Sequence, residues 1–354
     1  MSNNNQRLYL DIHILQTVPP SCVNRDDTGS PKTAVYGGVT RARVSSQCWK
    51  RAVRLHFRDE YPKEELGVRT KRVLQMVTDE IRALEPETNE EKALKLAVKA
   101  LEAAGLQNKA KKGEDWAPGA LFFISYAQAK ALAVLALQDN IDKKEAQKAL
   151  KDFPAVDVAL FGRMVADDPS LNTDACCQVA HSISTHAVSN EYDYFTAVDD
   201  LSPDDNAGAG MIGTVEYNSS TLYRYATVAL HNLKAALGTE TAAAARSFAN
   251  AFALSMPSGK VNTFANFTPP DAVIITLRED HPVNLAGAFE APIVNHGEGY
   301  AADTVKKLRE HANKIDATFG SLPALELEAG EELPLPALLE NLEAEIAARL
   351  GEPA

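Results

Sequence analysis

The periodicities of this chain predict an α+β fold of βαββαβ order with long insertions, and three observations carry that prediction. Residues 7–16 alternate, with Leu8, Leu10, Ile12 and Ile14 on one face and Tyr9, Asp11 and His13 on the other, which is strand period with one face in a core. An amphipathic helical run follows Ser45. Farther on, β-like runs at 176–188 and 214–228 precede a helical run at 242–254 and a short apolar strand at 272–277. Strand, helix, strands, helix, strand is the order of a ferredoxin-like, or RRM-type, core.

Each element has a local reason. Pro19-Pro20 is expected to end the first strand, and the polar stretch 22–32, with Gly29 and Pro31, makes a long loop before Gly37-Gly38. Loops of that length inside a domain are usually functional or disordered. Ser45 is a good N-cap, with Val44 and Trp49 placed as a hydrophobic staple. At about 100° per residue, Gln47, Lys50, Arg51, Arg54 and Arg58 fall within roughly one 100° arc. Cys48, Trp49, Ala52, Val53 and Leu55 point elsewhere, so one side packs and the other presents cations. From residue 64 to 152 the pattern turns helical, over 68–84, 90–104, 125–139 and 143–151, and reads as an insertion. The run 155–165 is β-like, and one more helix is expected over 301–318. The last 35 residues hold eight acids and one Arg, the pattern of a peripheral helix with a solvated face.

Charge placement says more than charge total. The 354-residue chain is 45% hydrophobic, enough for a sizeable core, and its net charge is -12. Residues 1–72 nevertheless carry 13 Lys and Arg against 7 Asp and Glu, while the remainder carries 23 against 41. Within residues 40–58 six basic residues occur (Arg41, Arg43, Lys50, Arg51, Arg54, Arg58) and no acid. A nonspecific cationic coat is excluded, but one basic groove in an acidic body fits. A purely solvated helix face usually mixes both signs to gain i,i+4 pairs; this one is all positive and repels itself unless an anion is supplied.

Other patterns carry less. Four Cys without a CxxC, and no charged-then-apolar leader, predict a cytoplasmic chain with reduced thiols. The most apolar segment, 120–137, is broken by Ser125, Gln128 and Lys130, so no membrane partner is expected. Gly208-Ala-Gly210-Met-Ile-Gly213 spells GxGxxG, but an acidic loop precedes it and a β-like run follows, the reverse of a dinucleotide turn. Cys176, Cys177 and His181 do not share a strand face well enough for one metal ion, and His181 and His186, five apart, face opposite ways. Asp199, Asp200, Asp204 and Asp205 match no cation-loop pattern. No cofactor or metal is expected.

The loop Ser21-Cys22-Val23-Asn24-Arg25-Asp26-Asp27, the Gly37-Gly38 turn, and Arg43-Val44-Ser45-Ser46-Gln47 followed by Lys50-Arg51-Ala52 and Arg54 together resemble the CasC family. CasC is the backbone subunit of the type I-E CRISPR surveillance complex Cascade. Gly162-Arg163-Met164, the run from Asp193-Tyr194-Phe195 to Leu201, and Tyr223-Arg224-Tyr225-Ala226 are similar to later blocks of that family, in order. The likeness spans about residues 7–290.

The resemblance implies an RRM-like (ferredoxin-like) βαββαβ palm (1–60, 153–189 and 214–320), helical fingers (61–152), a β-hairpin thumb (190–222) and the acidic peripheral helix (321–354). It implies a non-catalytic subunit that polymerises along a CRISPR guide RNA and presents it in segments to a target DNA strand. Partners would be further copies of the chain and the Cascade subunits CasA, CasB, CasD and CasE. Asn24, Arg25, Lys32, Arg41, Arg43, Ser45, Gln47, Lys50, Arg51 and Arg54 would meet guide RNA, Met164 would wedge against bases, and Tyr194 with Phe195 would act at a displaced base. Val39 stands where a basic residue is expected after Gly-Gly, which removes one phosphate contact. Gripping phosphate and sugar suits a subunit that must accept any guide sequence, and aromatic or Met side chains suit sequence-tolerant stacking. The rival expectation is an RNA-guided ribonuclease using Asp26 or Asp27, since distant backbone relatives cut with a loop carboxylate.

Overall fold

The computed structural model describes residues 7–110, 116–138, 141–152, 154–165, 168–197 and 211–352. β1 (Tyr9–Ser21) is followed by a hairpin of β2 (Thr33–Tyr36) and β3 (Val39–Val44). Its turn uses Gly37 at φ 58° and Gly38 at φ 79°, the sign that two-residue hairpins require at both positions. A Cβ on Gly37 would also sit 1.7 Å from the Glu290 carbonyl oxygen, so the turn is pressed against a distant segment. The Ser45 hydroxyl caps α1 (Ser46–Glu60) by accepting the Cys48 N–H, as the sequence predicted. Trp49, Ala52, Val53 and Phe57 form the buried stripe of α1.

The helical insertion is interrupted by a small sheet. The single helix expected over 68–84 divides into β4 (Gly67–Thr70) and α2 (Val73–Leu84). After α3 (Glu90–Ala103) the chain returns as β5 (Phe122–Ser125), whose register with β4 is tertiary information that periodicity does not contain. Ser125 and Gln128 close a reciprocal capping box on α4 (Tyr126–Ala136), and α5 (Lys143–Lys151) completes the unit. The β-like expectation for 155–165 is corrected: α6 (Val156–Phe161) is a helix, ended by Gly162 at φ 72°. A short run buried on all sides shows no period by which helix and strand can be told apart.

The rest of the order matches the periodicities more closely. β6 (Cys177–Val179) and β7 (Ser182–Ser184) lead to β8 (Glu191–Ala197) and the 19-residue β9 (Met211–Ala229). α7 (Leu230–Leu237), α8 (Thr241–Leu254), the one-turn α9 (Val261–Phe264) and β10 (Ala272–Arg278) follow. α10 (Ala301–Phe319), β11 (Leu325–Glu328) and α11 (Leu335–Leu350) end the described chain.

The main sheet is antiparallel in the order β11-β10-β1-β9-β7-β3-β2, with β6 and β8 also on β9. β1 does not stop at Pro19-Pro20. Its pairing with β10 ends at Leu15, and beyond a register shift it stays beside β9 to Ser21. Prolines are tolerated there because the ladder is irregular and one flank is already free.

Leu10, Ile12 and Ile14 face the main core with α1, α8 and the rest of the helical layer. The opposite face of β1 is buried too, because the segment 283–293 and α10 cover it. Its polar side chains are therefore satisfied internally. The Tyr225 hydroxyl and the Val283 N–H donate to the Asp11 carboxylate at 2.9 and 2.8 Å, and His13 Nδ1 lies 2.9 Å from the Tyr223 hydroxyl. A separate core joins α2, α3, α4 and α5 through Val77, Ile81, Leu101, Leu132 and Leu150. The C-terminal tail forms a helix with one solvated face, carrying Glu340, Asn341 and Ala344, while Leu338, Leu339, Leu342 and Ile346 of α11 are buried in the main core beside α8. No helix among the described residues is long and apolar enough to cross a membrane.

Candidate nucleic-acid interface

The loop after β1 is built by its own side chains. Asp26 Oδ1 accepts the Thr28 N–H at 2.9 Å, the Thr28 hydroxyl at 2.7 Å and the Ser30 N–H at 3.0 Å. These bonds, the Thr28 hydroxyl first, hold the Asp26 carboxyl below its ordinary pKa. Asn24 ties the loop to the helix: its Oδ1 accepts the Ser45 N–H at 2.9 Å, and its carbonyl accepts the Lys32 N–H at 2.8 Å. The Asn24 Oδ1 and carbonyl and the Ser45 N–H and hydroxyl are thus used in positioning.

The result is a cleft of about 540 Å³ between this loop, the Cys48–Arg51–Leu55 side of α1 and the segment 256–259. Arg25, Asp26, Asp27 and Arg51 line it and are exposed. Gly259 lets the far wall approach, since a Cβ there would lie 2.1 Å from the Val23 carbonyl oxygen. Lys260 follows with a left-handed backbone, φ 47° and ψ 28°, a conformation that costs an L residue and persists only where surroundings impose it. Its charge acts on the Cys22 thiol, beside that of Arg25. Lys260 is the cation that the sequence reading missed; the available signal was a Pro257-Ser258-Gly259 turn directly after a helix.

The predicted basic residues divide into three groups. Arg25, Gln47 and Arg51 are exposed, while Lys32, Arg43 and Lys50 are half-buried. Among the described residues none of the cations in this group has a carboxylate at ion-pair distance. Arg43 donates to the Thr33 carbonyl and to His181 Nδ1, both at 3.1 Å. Burial, then the Arg43 and Lys32 charges, lower the His181 pKa and favour the neutral ring that can accept. Lys50 Nζ stands 5.7 Å from the Phe161 ring centre.

Arg41 is corrected outright. It is fully buried, and its guanidinium donates to the carbonyls of Tyr36, Ser184, Phe289 and Glu290 at 2.9–3.2 Å. No donor faces solvent, so Arg41 locks the β2–β3 hairpin onto the segment 289–290 and does not extend the basic surface. Arg54 is also not a free cation: Nε lies 2.9 Å from Asp157 Oδ2. The uniform positive face read from helical angles is therefore interrupted at Arg54, where an acid from α6 meets it, and resumes at the exposed Arg58.

The later motifs occupy contrasting places. Arg163 is buried and donates to the carbonyls of Phe123, Leu150 and Leu171 and to Gln128, its pKa lowered by burial to about 10. Its neighbour Met164 is 84% exposed, in keeping with an apolar side chain held ready for a partner. β8 is exposed along its whole length and, among the described residues, pairs only with the Met211–Tyr217 part of β9. On that ribbon Tyr194 is 63% exposed, while Phe195 lies over Gly213, where a Cβ would be 2.4 Å from its ring.

Asp199, Asp200, Asp204, Asp205, Gly208 and Gly210 lie outside the described residues, and Gly213 is in a strand rather than at a helix start. Cys176 and Cys177 are buried in the main core, and burial raises both thiols. His186 is stacked on Tyr300 at 3.6 Å and accepts the Thr221 N–H. Among the described residues no group of three metal-type ligands converges.

A family described as CT1975-like protein matches residues 10–348. The chain belongs to the CT1975-like protein family. The match runs from β1 through the helical insertion and into α11. A chain of a solved "CRISPR RNA-guided surveillance complex, pre-nicking" is 32% identical, with TM-score 0.84, over 96% of this chain and 99% of that one. A chain of another "CRISPR RNA-guided surveillance complex" is 28% identical, with TM-score 0.70, over the same shares. No curated protein matches the chain. In architecture this family member is a mixed α+β protein with an antiparallel sheet, similar throughout to subunits of CRISPR RNA-guided surveillance complexes.

Proposed function

We propose that this chain is a guide-RNA-binding backbone subunit of a Cascade-type surveillance complex, of the type I-E CasC kind, working in the cytoplasm. The whole-length likeness to a subunit of an RNA-guided complex carries the reading. Three local features support it. Arg25, Lys50 and Arg51, with the neutral Gln47 beside them, form a basic lane beside a pinned loop, which suits phosphates and leaves base edges to pair with target DNA. The sheet order β10-β1-β9, flanked by β6 and β7, suits an RRM-like palm, and α2–α5 with their own core suit helical fingers. The exposed β8–β9 ribbon, carrying Tyr194 and Phe195, makes the thumb that would reach a neighbouring copy and displace a base.

The subunit acts without cutting. Asp26, one candidate carboxylate, has one oxygen saturated by loop donors, which suits a turn-former better than a base. Asp27 stands beside it, exposed on the cleft. Cleavage of complementary RNA by purified protein with Mg²⁺, abolished by Asp26→Ala with Asp27→Ala, would make the ribonuclease reading the correct one. The direct test of the scaffold reading is absorbance at 260 and 280 nm followed by sizing with and without nuclease. Copurifying RNA and nuclease-sensitive particles larger than one chain are expected; nucleic-acid-free monomer throughout would end the proposal.

A further inference from the structure

A second basic cleft, of about 480 Å³, lies between the C-terminal half of α1 and β4. Two of its lining cations share one buried ring: the Arg54 guanidinium lies 4.5 Å and the Arg69 guanidinium 4.9 Å from the Phe123 ring centre. Two like charges are therefore held against one ring. Arg58, exposed on the last turn of α1, completes the cationic wall.

The acids nearby do not neutralise this group. Asp157 is buried and already used twice, by Arg54 Nε at 2.9 Å and by the Gly67 N–H at 2.7 Å. Lys63 at the rim lies 3.9 Å from Glu64, so that pair adds little net charge. Arg54, Arg58 and Arg69 against Asp157 leave about two positive charges facing one concave space. Partial burial, then the Arg54 charge, lower the Arg69 pKa, while the Asp157 charge acts to raise it.

The arrangement is also rigid. A Cβ on Gly67 would meet Phe123 at 2.5 Å, Val158 at 2.7 Å and Asp157 at 2.8 Å, so β4 and α6 are in close contact behind the arginines. Arg54 gives its remaining reach to the Gly67 carbonyl at 3.3 Å. It orients the wall, whereas Arg58 and Arg69 keep their forks for a ligand. A fork of that geometry matches the two free oxygens of a phosphate diester better than a lone lysine would.

We propose that this cleft is a second phosphodiester site, with Arg58 and Arg69 as ligands and Arg54 as a positioning residue. It rests on the nucleic-acid reading above but is separate from the Arg25–Arg51 lane, because α1 presents the two on different stretches of its length. The phosphodiester has two possible sources, a continuation of the bound single strand or the strand that pairs with it.

The test uses the full chain with labelled single-stranded RNA and with the same RNA annealed to complementary DNA, across a salt titration. Arg58→Gln with Arg69→Gln should lower the single-strand slope of log affinity against log salt by about 1.4, and Arg58→Gln alone by about 0.7. A drop only with the annealed substrate assigns the site to the paired strand and supports the cleft equally. The double Lys variant should retain the wild-type slope. Slopes unchanged for both substrates, while Arg51→Ala still lowers them, overturn the second site and leave the first reading standing. Wild-type protein that binds neither substrate overturns both. Both arginines are exposed, and Arg58→Gln alone keeps the test decisive if the double variant unfolds.

Discussion

The interior of the sheet and the surface beside α1 both hold arginines without carboxylate partners, yet they do opposite things. Arg41 and Arg224 are fully buried. Arg224 lies between the Trp49 ring at 3.8 Å and the Phe252 ring at 4.8 Å, and donates to Gln16 and to the Phe252 carbonyl. Burial lowers its pKa to about 9, and the guanidinium is met by rings, a side-chain amide oxygen and a backbone carbonyl in place of a carboxylate. Arg25 and Arg51 have the same fork but face solvent around a cleft. The difference teaches that a basic residue becomes a candidate ligand only when its donors remain unspent; counting charge along a segment merges the two classes.

Changes at the two places should therefore separate cleanly. Arg224→Ala should cost the most, about 3–5 kcal/mol in urea unfolding, because it opens a void between two rings and strips the Gln16 and Phe252 carbonyl acceptors. The same change at Arg25 should stay within about 0.5 kcal/mol. Equal costs would break the comparison. Arg41→Ala should lose about 2–4 kcal/mol by freeing four carbonyls, while the salt dependence of RNA binding stays at the wild-type value. A flatter slope would return Arg41 to the contact surface.

A buried base sharpens the interior side. Burial, then the Arg278 charge, hold the His13 pKa at about 3 against an ordinary 6.5. The unfolded chain therefore binds the extra proton between those values. Stability from the neutral ring is fully present above pH 6.5 and is lost as pH falls toward 3, by about 2 kcal/mol at pH 5. The neighbouring Asp11, raised by burial, works in the opposite direction, so the reading is the difference between wild type and His13→Gln. The variant should show a shallower acid loss between pH 6.5 and 4; parallel curves would remove His13 as the cause. The smallest stability effect belongs to Lys50→Ala with Arg51→Ala, within about 0.5 kcal/mol, yet the slope of log affinity against log salt should flatten by about 1.4.

The amino-acid order alone determined those parts whose causes lie within a few residues. Ser45 and the 3.6-residue spacing of Trp49, Val53 and Phe57 suffice for α1, and Gly37-Gly38 suffices for the hairpin turn. Asp26, Thr28 and Ser30 make their loop by themselves. The motifs at 21–27 and 43–54 were enough to suggest the kind of protein, because such clusters are local too.

Tertiary structure decided whatever depends on what arrives from far along the chain. Arg41 and Arg43 are two apart on one strand, but the carbonyls of Tyr36, Ser184, Phe289 and Glu290 take up the donors of the first, while the second stays half-exposed beside His181. Asp157, from the mistaken strand at α6, reaches Arg54 across about a hundred positions. Lys260 enters the loop region from behind α8, and the acidic tail buries four apolar side chains because α8 offers a matching face. Helical and strand periods report which side of an element is apolar; they do not report which other element will cover the polar side. That covering, and the hydrogen bonds it uses up, is set only when remote segments pack, and it separates the arginines that hold the fold from those free to bind.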